Sequence, residues 1–74
     1  MEAILKFNLP EDNIEYELVN NAGKMHSVLW DLDQWLRGQT KHAPDSMSED
    51  TYNAYQKCKE QLRELMYEHN LNLD

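Results

Sequence analysis

The chain has 74 residues and a formal net charge of −7, from 14 acidic and 7 basic residues. This length allows one domain with a small core, and the single cysteine excludes an internal disulfide. The acidic balance argues against direct binding of duplex nucleic acid, and no apolar run reaches the roughly 20 residues that span a membrane. We expect a single domain over residues 1–74, stabilised by homo-oligomerisation as at least a dimer.

Residues 2–9 alternate between apolar and polar side chains, which predicts a short N-terminal β-strand. The apolar face would carry Ala3, Leu5, Phe7 and Leu9. Because a lone strand leaves its backbone groups unpaired, it needs a partner. That partner is either the same strand in a second copy or the C-terminal tail around residues 71–73.

Two helical segments are predicted next. Pro10 suits the first turn of a short helix over residues 10–21, and Gly23 either ends that helix or bends it into the next one. Residues 24–41 are the best-patterned helix, with apolar residues at steps of three and four. Its apolar stripe consists of Met25, Val28, Leu29, Leu32, Trp35 and Leu36.

The last predicted helix covers residues 48–70, with Ser48 as its N-cap. Its apolar stripe consists of Tyr55, Cys58, Leu62, Leu65 and Met66, so Cys58 is expected to be a buried, inert thiol. The two long predicted helices are joined by roughly ten residues or fewer, and so short a connection favours an antiparallel helical hairpin. The predicted fold class is therefore mainly α, with a short N-terminal strand, a short helix and a long hairpin.

The middle of the chain is net positive, since residues 21–44 carry three basic and two acidic side chains, whereas the segments on both sides are net negative. On a helical wheel Trp30 lies about 140° from Met25, away from the apolar stripe. Five residues on that side form the candidate ligand- or partner-binding set: His26, Trp30, Asp33, Arg37 and Lys41. An indole stacks on planar rings, and Arg37 can bind phosphate or carboxylate, oriented by Asp33 one turn earlier. The alternative is that Trp30 packs under the N-terminal helix or strand, or in a homodimer interface.

Enzymatic motifs are absent from the sequence. It has no nucleophile elbow, P-loop, HExxH or dinucleotide fingerprint. Asp31 and Asp33 are two apart on a helix, so they do not form a carboxylate pair. No Cys/His cluster has the spacing of a metal site. We therefore expect a non-enzymatic protein with no cofactor and no metal.

Three parts of the sequence are distinctive: the run Phe7-Asn8-Leu9-Pro10-Glu11-Asp12, the pair Lys24-Met25, and the core Leu29-Trp30-Asp31-Leu32-Asp33-Gln34-Trp35-Leu36-Arg37. On these residues, the chain resembles a group of small, mostly uncharacterised proteins of tailed bacteriophages over nearly its whole length. The resemblance extends to the charged last helix, at residues 58–66. The chain departs from the group at Asn21-Ala22-Gly23-Lys24, where the group often has Asn-Gly directly.

The resemblance implies a phage protein made in the host cell cytoplasm, and three functions follow from it. The first is a counter-defence protein that sequesters an anionic nucleotide signal, bound where two copies of an oligomer meet. The second is an inhibitor or adaptor that binds a host protein through an acidic surface that imitates DNA. The third is a structural or regulatory phage factor.

Overall fold

Two helices form the whole of the regular structure in the computed structural model, which describes residues 1–73. Helix α1 spans Asn13–Lys41 (29 residues) and helix α2 spans Glu49–Glu68 (20 residues). They form the predicted hairpin, with overall dimensions of 55 × 27 × 18 Å. Asp74, the last residue of the predicted domain, lies outside the described residues. Within residues 1–73, no helix is both long enough and apolar enough to cross a membrane.

The predicted strand over residues 2–9 is wrong for this structure, since residues 1–73 contain no strand. The segment is instead tied to α1 near its end. The rings of Phe7 and Tyr16 meet edge to face at 5.6 Å, and the Asn8 backbone N–H donates to Asp12 Oδ2 at 2.8 Å. The alternating pattern alone cannot form a strand where no neighbouring backbone pairs with it.

Of the two alternatives at Gly23, the structure has the one longer helix, and the separate short helix over residues 10–21 is not formed. Residues 10–21 and 24–41 belong to one continuous helix, which begins at Asn13 and passes through Gly23. The Ser27 hydroxyl donates to the Gly23 carbonyl at 3.1 Å within the helix. A helical glycine costs only about 1 kcal/mol relative to alanine, so the apolar pattern on both sides of it outweighs the stop signal.

Helix α2 begins as the sequence predicts. The Ser48 hydroxyl accepts a hydrogen bond from the Thr51 backbone N–H at 3.1 Å, and Glu49 and Asp50 lie in the first turn. These acidic side chains are favourable beside the positive end of the helix dipole.

The C-terminal end of α2 reverses the chain at Asn70, whose φ of 56° is left-handed. The Asn70 N–H donates to the Tyr67 carbonyl at 3.1 Å, and the Leu71 N–H donates to the Met66 carbonyl at 2.8 Å. This pair of bonds is a Schellman motif. It turns the tail back along the hairpin, so that Leu73 becomes buried.

The apolar core is very small. Among residues 1–73 the buried hydrophobic side chains are Leu36, Met66 and Leu73, and Asp33 is buried beside them at 0% exposure. Helix α2 turns toward α1 a face shifted from the predicted stripe, with Gln56, Lys59 and Arg63 partly buried. Cys58 is exposed, contrary to the prediction. The ion pair between Asp33 and Arg63 accompanies this rotation.

Candidate functional site

The Asp33 carboxylate is the centre of the candidate site. It accepts hydrogen bonds from Arg63 Nε at 2.9 Å on Oδ1 and from Arg63 Nη2 at 2.6 Å on Oδ2. Arg37 Nε lies 3.1 Å from the same Oδ2. The carboxylate thus joins an arginine of its own helix to an arginine of α2.

Arg63 is the main cause of the electrostatic state of this carboxyl. Its hydrogen bonds hold the pKa of Asp33 below the ordinary value, burial opposes them, and the charges of Arg63 and Arg37 add to the lowering. The carboxyl is therefore ionised at neutral pH. Since Asp33 is inaccessible to solvent, it positions the two guanidinium groups and does not itself offer a surface to a ligand.

Both arginines contact the same carboxylate, and each keeps part of its side chain in solvent. The Arg37 side chain is 52% exposed and the Arg63 side chain 34% exposed. A guanidinium has five N–H donors in a planar fork. Arg37 can therefore keep its contact with Asp33 and still donate to a phosphate or carboxylate from solution.

Trp30 lies on the same side of the hairpin, beside the returning tail. An open cavity of about 280 Å³ is lined by His26, Ser27, Trp30, Asp31 and Leu73. Trp30 remains 44% exposed. In the described chain it thus borders the C-terminal tail, and residues 1–73 contain no N-terminal strand of the kind that the alternative prediction placed over it.

The five candidate residues fall into two groups. His26 and Trp30 line the cavity, and Asp33 and Arg37 form the ion pair. Trp30 and Arg37 are seven residues apart, which is about 10 Å along the helix axis. Lys41 is the exposed last residue of α1, so it extends the basic end of this side of the helix.

Arg63 is a site residue that the sequence prediction does not contain, because it lies outside the apolar stripe predicted for the last helix. A signal was present, because Asp33 falls near the margin of the α1 stripe and an acidic residue there needs a cation across the hairpin. Tyr52 and Gln56, joined by a hydrogen bond of 3.2 Å, mark the same shifted face of α2. A stripe read through Tyr52, Gln56, Lys59, Arg63 and Met66 also has helical spacing.

Within residues 1–73, no group of three or more His, Cys, Asp or Glu side chains is placed to hold a metal ion. The fold and the site define a helical hairpin that carries one buried carboxylate between two arginines. No protein-family model matches the chain, and neither a curated protein nor a solved structure matches it.

Proposed function

We propose that the protein is a small, non-enzymatic binding protein of phage origin that acts as an oligomer in the host cell cytoplasm. Its proposed role is counter-defence, by sequestering an anionic nucleotide signal. The observation that supports this proposal is the arginine pair on Asp33, which keeps a half-exposed guanidinium in place on the side of the hairpin that carries Trp30.

The two groups supply complementary contacts for a nucleotide. The exposed indole of Trp30 stacks on a base, and Arg37 donates two parallel hydrogen bonds to a phosphate. Their separation of about 10 Å along the helix suits a ligand that carries its ring and its charge at opposite ends. Lys41 adds a further cation beyond Arg37.

The net charge of −7 opposes the approach of an anion. At physiological ionic strength this repulsion is screened beyond about 8 Å. Within that distance, the half-exposed guanidinium of Arg37 acts on the ligand most strongly. Asp31 at the cavity is an opposing charge, so the phosphate is expected at the Arg37 end and the base at the Trp30 end.

Calorimetric titration of the full chain with cyclic dinucleotides and linear nucleotides tests the proposal. Binding should be lost in both Trp30→Ala and Arg37→Ala, and it should weaken as salt rises. Asn20→Ala is the matched control, because Asn20 is an exposed residue of the same helix on another side. The absence of heat across the nucleotide panel would reject this function.

A second candidate function is an inhibitor or adaptor of a host protein, and the N-terminal segment favours it. Ile4, Leu5 and Leu9 are 83%, 70% and 54% exposed. An extended apolar segment with unpaired backbone can add as a strand to the sheet edge of another protein. Purification of a stoichiometric complex with an identified host protein, lost in Leu5→Asp and kept in Trp30→Ala, would support this function over the first.

A further inference from the structure

Helix α1 carries a mostly apolar seam that α2 leaves largely exposed. The spacing alternates between three and four residues, as in a coiled coil. The six apolar members are Ile14 (74% exposed), Leu18 (54%), Met25 (47%), Val28 (66%), Leu32 (44%) and Trp35 (53%). Asn21 takes the remaining position and completes the repeat. We call these seven residues the α1 seam.

Helix α2 contributes to the same side of the hairpin. The rings of Trp35 and Tyr55 meet edge to face at 5.7 Å, which joins the α1 seam to α2. Cys58 is exposed and Leu65 is 44% exposed. On a helical wheel with about 100° per residue, Cys58 and Leu65 lie next to each other on the same side of Tyr55. The hairpin thus presents one broad apolar face made by both helices.

The buried apolar core is small. Among residues 1–73 the buried hydrophobic residues are Leu36, Met66 and Leu73, whereas the six apolar members of the α1 seam are exposed. Burial of an apolar side chain contributes about 1.5–3 kcal/mol. Covering the α1 seam would therefore add substantially to the stability of the fold.

We infer that a second copy of this chain covers the face, with its α1 packed antiparallel against the first. This inference rests on the oligomer of the proposed function, and it adds that the α1 seam is the surface through which the copies contact each other. In an antiparallel pair that sets Met25 against Val28 of the second copy, Leu18 meets Trp35 and Asn21 meets Leu32. Each of these pairs occurs twice by two-fold symmetry, as a closed dimer requires, and Ile14 at each end of the seam meets Gln39.

Charge complementarity supports the antiparallel orientation. Lys24 and Asp31 both flank the α1 seam on the side away from α2, one heptad apart. In the register above, Lys24 of each copy lies beside Asp31 of the other, which makes two opposite-charge pairs. A parallel pair would set Lys24 against Leu29 and would form neither charge pair. Flanking charges of this kind set partner orientation in coiled coils.

The dimer leaves the candidate ligand face free. Trp30 and Arg37 lie on the side of α1 roughly opposite the α1 seam, at about 100° per residue. Each copy therefore carries its own Trp30 and Arg37, pointing outward. This arrangement replaces the expectation that a ligand binds where two copies meet.

Sedimentation equilibrium of the full chain without ligand tests the inference. The wild type should have twice the chain mass of 8.8 kDa, and Val28→Glu should sediment as a single chain at the same micromolar concentration. Asn20→Glu is the matched control, because it adds the same charge to an exposed residue of α1 outside the seam. A single-chain wild type, or a Val28→Glu protein as dimeric as the wild type, would overturn the inference.

A charge-exchange series covers the case in which Val28→Glu fails to fold. Lys24→Glu and Asp31→Lys alone should each raise the dimer dissociation constant by about tenfold, since each turns two attractive pairs into repulsive ones. The double variant Lys24→Glu/Asp31→Lys should restore the wild-type constant. No restoration would reject the antiparallel register. Since no nucleotide is present in either experiment, failure of the ligand proposal leaves these results unaffected.

Discussion

Arg63 of α2 holds the buried carboxylate of Asp33 of α1 with two hydrogen bonds, at 2.9 and 2.6 Å. This is a planar fork meeting both carboxylate oxygens, the geometry in which arginine binds a carboxylate most strongly. Arg37 reaches one of the same oxygens from within α1. Both arginines therefore contact the same carboxylate, but Arg63 links α2 to α1 whereas Arg37 links two turns of α1.

The first prediction is that Arg63 stabilises the hairpin far more than Arg37. Removing Arg63 leaves the buried Asp33 with a single cation, so Arg63→Ala should lower the free energy of unfolding by about 2 kcal/mol. Arg37→Ala removes a half-exposed pair within one helix and should cost about 0.5 kcal/mol or less. Urea denaturation at one fixed protein concentration measures both values. Equal losses would show that the inter-helix bridge has no special role.

The second prediction concerns the pH dependence of this bridge. The pKa of Asp33 is lowered in the folded chain, so its ionised form stabilises the fold at pH values above its unfolded pKa of about 3.8. That contribution is lost as the pH falls from there through the folded pKa. The stability difference between the wild type and Asp33→Asn should hold constant from pH 7 to about pH 5 and shrink below pH 4. A difference that does not change with pH would contradict the ionised bridge.

The third prediction concerns the reversal after α2. Asn70 has a left-handed φ of 56°, a conformation that costs most side chains about 1–2 kcal/mol and glycine almost nothing. Asn70→Ala should therefore lower the free energy of unfolding by about 1 kcal/mol, while Asn70→Gly should keep or slightly raise it. The matched control is Asn53→Ala, at an exposed position within α2. Equal effects of alanine and glycine at position 70 would argue against the Schellman motif.

The fourth prediction concerns the tail that this reversal returns to the hairpin. Leu73 is 3% exposed and lines the cavity beside Trp30. Leu73→Ala should cost about 2 kcal/mol of stability. In a Trp35→Phe background, where Trp30 is the remaining indole, it should also shift the emission to longer wavelength, as water gains access to Trp30. Leu71→Ala, at a position that is 56% exposed, should have a smaller effect on both. A Leu73→Ala spectrum identical to that of the Trp35→Phe parent would show that the tail does not shield Trp30.

The hairpin itself could be predicted from the sequence, because two long amphipathic stretches joined by a short connection have one simple packing. Ser48 marked the start of α2 correctly. The sequence could not decide whether residues 2–9 form a strand. An alternating segment becomes a strand only where a neighbouring backbone pairs with it. Gly23 was ambiguous for a similar reason: its local signal competes with the apolar pattern that runs through it.

The site was predictable on α1 and not on α2. Asp33 and Arg37 are four residues apart in one helix, so their contact follows from helical geometry. The contact between Asp33 and Arg63 spans 30 residues of sequence and depends on the rotation of α2 about its axis. The predicted apolar stripe would turn the side of α2 with Cys58 and Leu65 toward α1. In the structure α2 is rotated so that Arg63 reaches Asp33 instead. The side-chain pattern alone does not say which of these two rotations is the more stable.

The last prediction separates binding from folding on the ligand face. Trp30 is 44% exposed and the Arg37 side chain 52% exposed, so alanine at either position should keep the helical circular dichroism signal. Both variants should lose nucleotide binding. Lys41→Ala should weaken binding less than Arg37→Ala, because Lys41 supplies a point charge whereas Arg37 supplies a planar fork held by Asp33. Arg37→Lys keeps the charge and should still lose most of the affinity. If Arg37→Lys binds as tightly as the wild type, the fork is not the feature that the ligand recognises. If Trp30→Ala unfolds the chain, the indole serves packing rather than binding.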